Sequence, residues 1–334
     1  MHDRPRARLA WLATALLLAC SPPAAPPRFD TGFRGPGRLV VLFEPADPEA
    51  PRTLVVHDAA GARELPLPGA LAARWISPDI LLVSQEAPPE EAYGLPRIQL
   101  VRVNAVTGAA TKLSEPARYF DAEVDPRGMR VAVGREVDDQ GESDLLVLES
   151  DTLKPVAGLN LPLDRPRWSP DSTALVVLQT LPDPESEDSE TGLSFGGQEV
   201  SFPRLFRTSS DLRGALELLR DGEPGKPLVA GGTLPLFWNA RGIYARQRRG
   251  LVRCDPAGSG CAVVWSPGEK KRVIDARAAG SDGALVLVRD HQLASELDLP
   301  RELHLVALDS GLAQLMYSAP AEIYLADLDW VATP

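Results

Sequence analysis

The stretch that decides the fold is Arg167-Trp-Ser-Pro-Asp-Ser-Thr-Ala-Leu-Val-Val-Leu178. A short segment carrying an aromatic residue enters a Ser-Pro-Asp turn and leaves as an apolar, β-branched run. Proline presets φ at the turn and aspartate bonds the backbone beyond it, so the reversal is encoded locally. The same plan stands at Arg74-Trp-Ile-Ser-Pro-Asp-Ile-Leu-Leu-Val-Ser84 and at Ala122-Glu-Val-Asp-Pro-Arg-Gly-Met-Arg-Val-Ala-Val133. Pro78, Pro126 and Pro170 are spaced by 48 and 44 residues. Weaker copies start at Phe237 (FWNARGIYAR) and Ala276 (ARAAGSDGALVLV), and a truncated one starts at Ile323 (IYLADLDW).

Working outward from these copies, a second unit alternates with the first. It is a strand, a turn with Asp or Asn and often Gly, and another strand, starting at Leu54, Leu100, Leu146, Leu216, Leu251 and Leu305. Asx side chains and Gly supply the hydrogen bonds and positive φ that tight hairpins need. Four strands in a period in the forties point to propeller blades, each unable to bury both faces of its sheet until it is stacked on its neighbours. The last copy stops at Trp330 without an exiting strand, whereas Arg38-Leu-Val-Val-Leu-Phe43 stands alone at the start. The expected fold is therefore all-β: one β-propeller over residues 38–334, of about six four-stranded blades, closed by an N-terminal strand. Seven blades is the alternative count.

The Trp-Ser-Pro-Asp turn with its apolar exit strand, preceded by a strand–Asp-x-x-Gly–strand hairpin, resembles the TolB-like, WD-repeat-like propellers of bacterial envelopes. The resemblance covers residues 38 to 330. Trp168 to Asp171 match best, and Trp75 to Asp79 carry one extra residue. The usual Gly after Asp is replaced by Ile80 and Ser172, and the last three blades lack the motif. TolB also has an N-terminal α/β domain, for which the roughly 17 residues between Cys20 and Arg38 leave no room, so its specific partnership is not carried over.

The first residues read as an address. Arg4, Arg6 and Arg8 form a positive region, and Leu9 to Ala19 form an apolar run. As a helix that run would rise only about 16 Å, half of a hydrocarbon core, which fits a signal segment and not a span. Leu17-Leu18-Ala19-Cys20 resembles the bacterial lipobox, which implies cleavage after residue 19 and lipidation, including palmitate, at Cys20. An ordinary secretory signal cleaved elsewhere is the other reading. Residues 20–37 are then a Pro-rich tether, and Ser21 resembles the pattern that sorts lipoproteins to the outer membrane. The net charge is −11, which argues against nucleic acid as a partner. The same balance argues against a basic membrane-binding surface, leaving the lipid as the only membrane contact. Cys254 and Cys261 bracket a turn that would set them opposite one another, a candidate disulfide in an oxidising compartment.

The sequence carries no catalytic, cofactor or metal constellation. Gly192-Leu-Ser-Phe-Gly196 fits the nucleophile-elbow pattern, but it sits in an acidic insertion at about 181–200 without the required strand and helix. The insertion itself reads as a rim loop. His2, His57, His291 and His304 show no ligating spacing. The acids from Asp138 to Asp144 read as a solvated hairpin, and Arg246 to Arg249 as a surface loop. Trp75, Trp168 and Trp238 read as blade-packing aromatics. The expected function is a non-catalytic, monomeric binding propeller for an envelope protein or peptide, facing the periplasm or the cell surface. The alternative is a small-ligand receptor or enzyme using the central channel, which requires acids and arginines to converge there.

Overall fold

The computed structural model describes residues 37–87, 97–136, 143–159, 163–180, 194–195, 198–199, 214–220, 226–229, 233–257, 260–290 and 300–333. Cys20, the segment read as a signal, most of the stretch read as a tether and most of the acidic insertion lie outside them.

Among the described residues, six four-stranded antiparallel sheets make up the ring. Blade 1 orders Ile323–Val331, Arg38–Pro45, Thr53–Asp58 and Gly61–Leu65 from the axis outward, so the C-terminal strand is innermost and the first strand pairs with it. Blade 2 is Ala70–Ser77, Ile80–Glu86, Ile98–Asn104 and Ala110–Lys112. Blade 3 is Tyr119–Val124, Arg130–Glu136, Ser143–Glu149 and Pro155–Leu159. Blade 4 is Leu163–Trp168, Ala174–Thr180, Gly214–Arg220 and Lys226–Val229. Blade 5 is Thr233–Asn239, Gly242–Gln247, Gly250–Cys254 and Cys261–Trp265, and blade 6 is Lys271–Ala279, Gly283–Asp290, Glu302–Ala307 and Ala313–Ser318. The innermost strands touch their neighbours in a closed cycle, with blade 6 meeting blade 1. The exchange of strands between the two ends of the chain is what closes the ring and removes an open edge.

Burial within each blade follows from its position. Second strands lie between blades on both faces, so Leu39 to Phe43, Leu81 to Val83, Val131 to Val133 and Ala284 to Val288 are continuously buried. Each such aliphatic side chain contributes about 1.5–3 kcal/mol by leaving water. Outermost strands meet solvent, and Ala110–Lys112 is exposed throughout. Trp75 and Trp168 are buried in the seams between blades. Their indole N–H groups donate to the preceding blade, Trp75 to the Asp329 carbonyl at 3.3 Å and Trp168 to the Glu123 carbonyl at 3.1 Å.

Antiparallel order gives the ring two unlike faces. One carries the tight turns: Asp125 Oδ1 accepts from the Met129 and Arg130 amides, and Asn104 Oδ1 from Val106 and Thr107. Ser172 takes the left-handed conformation (φ 62°) that Gly128 takes in the equivalent turn of blade 3 (φ 69°). At Gly128 a Cβ would also meet the Ile76 carbonyl oxygen at 2.1 Å. Arginines at the start of alternate second strands clamp the next blade's turn. Arg38 donates to the Pro78 carbonyl at 2.7 Å and pairs with Asp79, Arg130 donates to the Ser172 carbonyl, and Arg241 pairs with Asp282. The second and third strands of each blade are joined at the opposite face, the loop face.

Candidate functional site: the axial channel and its mouth

An innermost strand is the edge of its sheet, and its outward N–H and C=O groups face the axis, where the neighbouring strands shield them from water. Such groups need partners. Each of the six innermost strands also carries a β-bulge: at Ala326, Leu71, Asp121–Ala122, Arg165–Pro166, Leu236 and Ile274 in blades 1 to 6. A bulge adds a residue on one strand and re-aims the side chains that follow. Asp121 and Arg165 occupy the same place in blades 3 and 4 and both have positive φ, 49° and 52°.

The residues after the bulges converge. The residue just before Trp330, Trp75, Val124, Trp168, Trp238 and Ala278 is Asp329, Arg74, Glu123, Arg167, Phe237 and Arg277 in blades 1 to 6, and its charged members meet. Arg74 pairs with Asp327 at 2.6 Å and with Glu123 at 3.2 Å. Glu123 also faces Arg167 at 3.5 Å and Arg277 at 3.9 Å, and Arg277 pairs with Asp275 at 3.3 Å. Arg74, Arg167, Arg277 and Asp327 are 3–8 % exposed.

The same groups cap the strand edges. Asp327 Oδ2 accepts from the Ala73 amide at 2.9 Å, and Asp329 Oδ2 from the Trp75 amide at 2.8 Å. Arg74 donates to the Ala73 carbonyl and Arg277 to the Leu236 and Ala276 carbonyls, and Arg167 donates to the carbonyls of Leu236 and Pro166. The axis is thus closed by a plug of ion pairs in which carboxylates serve N–H groups and guanidiniums serve C=O groups. Nε and Nη2 of Arg277 are buried without a hydrogen-bond acceptor.

Electrostatics differ across the plug. Burial works against the charge of Arg74, yet Asp327, Glu123 and Asp329 outweigh it and raise its pKa. At Arg167 burial wins, with Arg277 repelling, and the group falls to about 10. Burial pushes the Asp329 carboxyl up to about 6 in spite of Arg74 and Arg277.

Toward the loop face, further arginines follow. Arg246 is buried near the end of the second strand of blade 5, and the two-residue turn beyond it is Arg248–Arg249. The basic run read as a surface loop is therefore split, because strand register carries Arg246 inward toward blade 6. The repeats contained a partial signal for the axial groups, the residue before Trp75, Trp168 and Trp330, but Glu123 and Arg277 precede Val124 and Ala278 and carry no such mark. Only after ring closure do Arg74, Glu123, Arg167 and Arg277 meet, whereas Phe237 stacks on Tyr244 instead.

The other candidates read from the sequence that lie among the described residues do not join this cluster. Cys254 and Cys261 stand directly opposite in their hairpin and are bonded, with Cα atoms 4.0 Å apart. His57 is buried in blade 1, and burial lowers it to about 4. His304 Nε2 lies 2.9 Å from Glu302, whose carboxylate also holds Lys271. Asp144 faces Arg135 at 3.2 Å, while Asp138 to Glu142, His2 and His291 lie outside the described residues. Ser194–Phe195 pairs with Gln198–Glu199 in a two-residue ladder, and the rest of the elbow-like motif lies outside the described residues. Among the described residues no three His, Cys, Asp or Glu groups gather in a way that could hold a metal ion, and no helix is long and apolar enough to cross a membrane.

No protein-family model matches the chain, and no curated protein is detectably similar to it in sequence. Its fold is shared widely. A TolB-type protein from Agrobacterium tumefaciens is 15% identical with a TM-score of 0.55, over 90% of this chain and 100% of that one. TolB from Acinetobacter baumannii is 13% identical with a TM-score of 0.57, over 96% of this chain and 69% of that one. The β-propeller domain of the trilobed protease from Pyrococcus furiosus is 11% identical with a TM-score of 0.51, over 86% and 81%. The chain is a TolB-like β-propeller in fold, and at these identities the likeness is one of fold.

Proposed function

We propose that this chain is a membrane-anchored, non-catalytic propeller of the bacterial cell envelope that binds a protein or peptide. In this reading residues 1–19 export it and Cys20 is acylated. Residues 20–37 then tether a monomeric ring to the outer membrane, facing the periplasm or the cell surface. The lipid is its only membrane contact. The observation that carries the non-catalytic part is the axial plug. Its carboxylates and guanidiniums are engaged with one another and with the strand edges. Charges held in this way are not poised for substrate, which leaves the rims as the surfaces for a partner. The likeness to TolB propellers and the bonded Cys254–Cys261 pair support an envelope address.

The second reading, a small-ligand receptor or enzyme using the channel, draws on the convergence of those same acids and arginines. Capture of the mature, lipidated protein from crosslinked envelopes tests the first reading against a Cys20→Ala control. A small reproducible set of envelope proteins, weakened in the control, is the expected result. A clean preparation with no partner would overturn it in favour of the channel. Palmitate incorporation that persists in Cys20→Ala would overturn the anchor.

A further inference from the structure

Arg246 is a buried cation to which no described residue supplies a counter-ion. It is 6 % exposed, and no described residue lies within hydrogen-bond or ion-pair distance of its guanidinium. Its charged surroundings are mostly of its own sign. Burial first, then Arg272 and Arg165, hold it down to about 9, with Asp275 alone opposing them. The neighbourhood is dense with guanidiniums by construction. Arg272 stands directly across the ladder from Arg289, a like-charge pair that destabilises a sheet. The Arg249 carbonyl accepts the Val273 amide at 3.0 Å, which fixes the turn of blade 5 beside Arg272. All this occurs in a chain of net charge −11.

Burying an unpaired charge is costly, and proteins that keep one supply a partner for it. Guanidiniums match planar and tetrahedral oxyanions through paired N–H donors. Blade 5 joins its second and third strands through Arg248–Arg249 alone, whereas the other blades use six or more residues there. That sector of the mouth therefore has no long loop of its own above Arg246.

We infer that the loop-face mouth of the channel, over blades 4 to 6, is an oxyanion site with Arg246 as its principal ligand and Arg165 and Arg272 flanking it, taking a carboxylate or a phosphate group. The site stands independently of the proposed partner binding. Envelope capture can fail while the anion still binds, and the reverse.

The test uses the mature protein with its disulfide intact and follows thermal midpoint and calorimetric binding. Inorganic phosphate and tetraglutamate are titrated separately, with chloride holding ionic strength constant. Wild type is expected to bind at least one of them saturably and to be stabilised by it. Arg246→Met should weaken that binding at least tenfold, and Arg241→Met, on the turn face, should leave it unchanged. Without added anion Arg246→Met should melt at or above wild type, because it removes an uncompensated charge. Arg246→Lys, which keeps the charge and loses the fork, should bind more weakly than wild type. Saturation by phosphate alone assigns a phosphate ligand, and saturation by tetraglutamate assigns an acidic peptide. Binding of neither, equal binding by Arg246→Met and wild type, or a lower midpoint for Arg246→Met in chloride would overturn the inference.

Discussion

Blades 1 to 3 and blades 4 to 6 close the same axis with opposite charge. Among the described residues, the first half brings Asp327, Asp329 and Glu123 against Arg74, and the second brings Arg165, Arg167, Arg246, Arg272 and Arg277 against Asp275. The backbone problem is identical in both halves, since every innermost strand is a buried edge. The solutions differ. In the first half carboxylates reach across a seam to N–H groups of blade 2, and Arg74 keeps its charge against burial. In the second half the guanidiniums of Arg167 and Arg277 converge on the Leu236 carbonyl and repel one another, and burial lowers Arg167 to about 10. Among the described residues, the first half sets three carboxylates around one guanidinium, and the second sets five guanidiniums around Asp275. Glu123 is the link, the single carboxylate facing arginines of blades 2, 4 and 6 among the described residues.

Breaking the link should have the largest effect. Glu123→Gln keeps the shape and removes the shared charge, and it is expected to cost roughly 3 kcal/mol, because it leaves buried cations uncompensated. Urea unfolding monitored by tryptophan fluorescence reads this directly. A loss below about 1 kcal/mol would mean that the two halves are stabilised separately. A paired substitution sharpens the contrast. Arg74→Met should cost about 3 kcal/mol, and Arg167→Met, which also relieves repulsion from Arg277, only about 1 kcal/mol. Equal losses would show that the asymmetry of charge is not an asymmetry of energy.

Much of the ring was legible in the sequence, because its cause is local. Pro170-Asp171 and Asn104 make turns with their own neighbours, so the repeat announces itself wherever those residues stand. The closing strand was legible because Arg38 to Phe43 and Ile323 to Trp330 are each half of a repeat unit. The site was not. Arg74, Glu123, Arg167 and Arg277 are up to 203 residues apart in sequence, and nothing local tells an inward arginine from a solvated one. Arg246 shows the limit most plainly. It sits in a basic run that reads as surface, and only strand register separates it from Arg248. The displaced Gly of the turn motif was visible at Ser172, but its cost was not: the structure holds Ser172 at φ 62° with its hydroxyl buried and unbonded.

A pH-dependent effect decides which force governs the acid-rich half. Burial pushes Asp329 up to about 6, against an unfolded value of about 3.9. A carboxyl raised on folding contributes stability that is present below pH 4 and lost as pH rises through 6, because the native state holds the proton longer. His57 runs the other way. Burial lowers it to about 4, so its contribution is present above its unfolded value near 6.5 and is lost as pH falls toward 4. The two slopes oppose each other between pH 4 and 6, and the wild-type curve alone is flattened. Asp329→Asn isolates one of them, since the amide oxygen still accepts the Trp75 N–H and only the titration disappears. Its stability relative to wild type should rise by about 2 kcal/mol between pH 4 and pH 7, the size expected of a carboxyl that titrates near 6 when folded and near 4 when unfolded. If Asp329→Asn instead falls behind as pH rises, Arg74 outweighs burial at Asp329. The first half would then be an ion-pair clamp throughout, and the contrast with blades 4 to 6 would be stronger still.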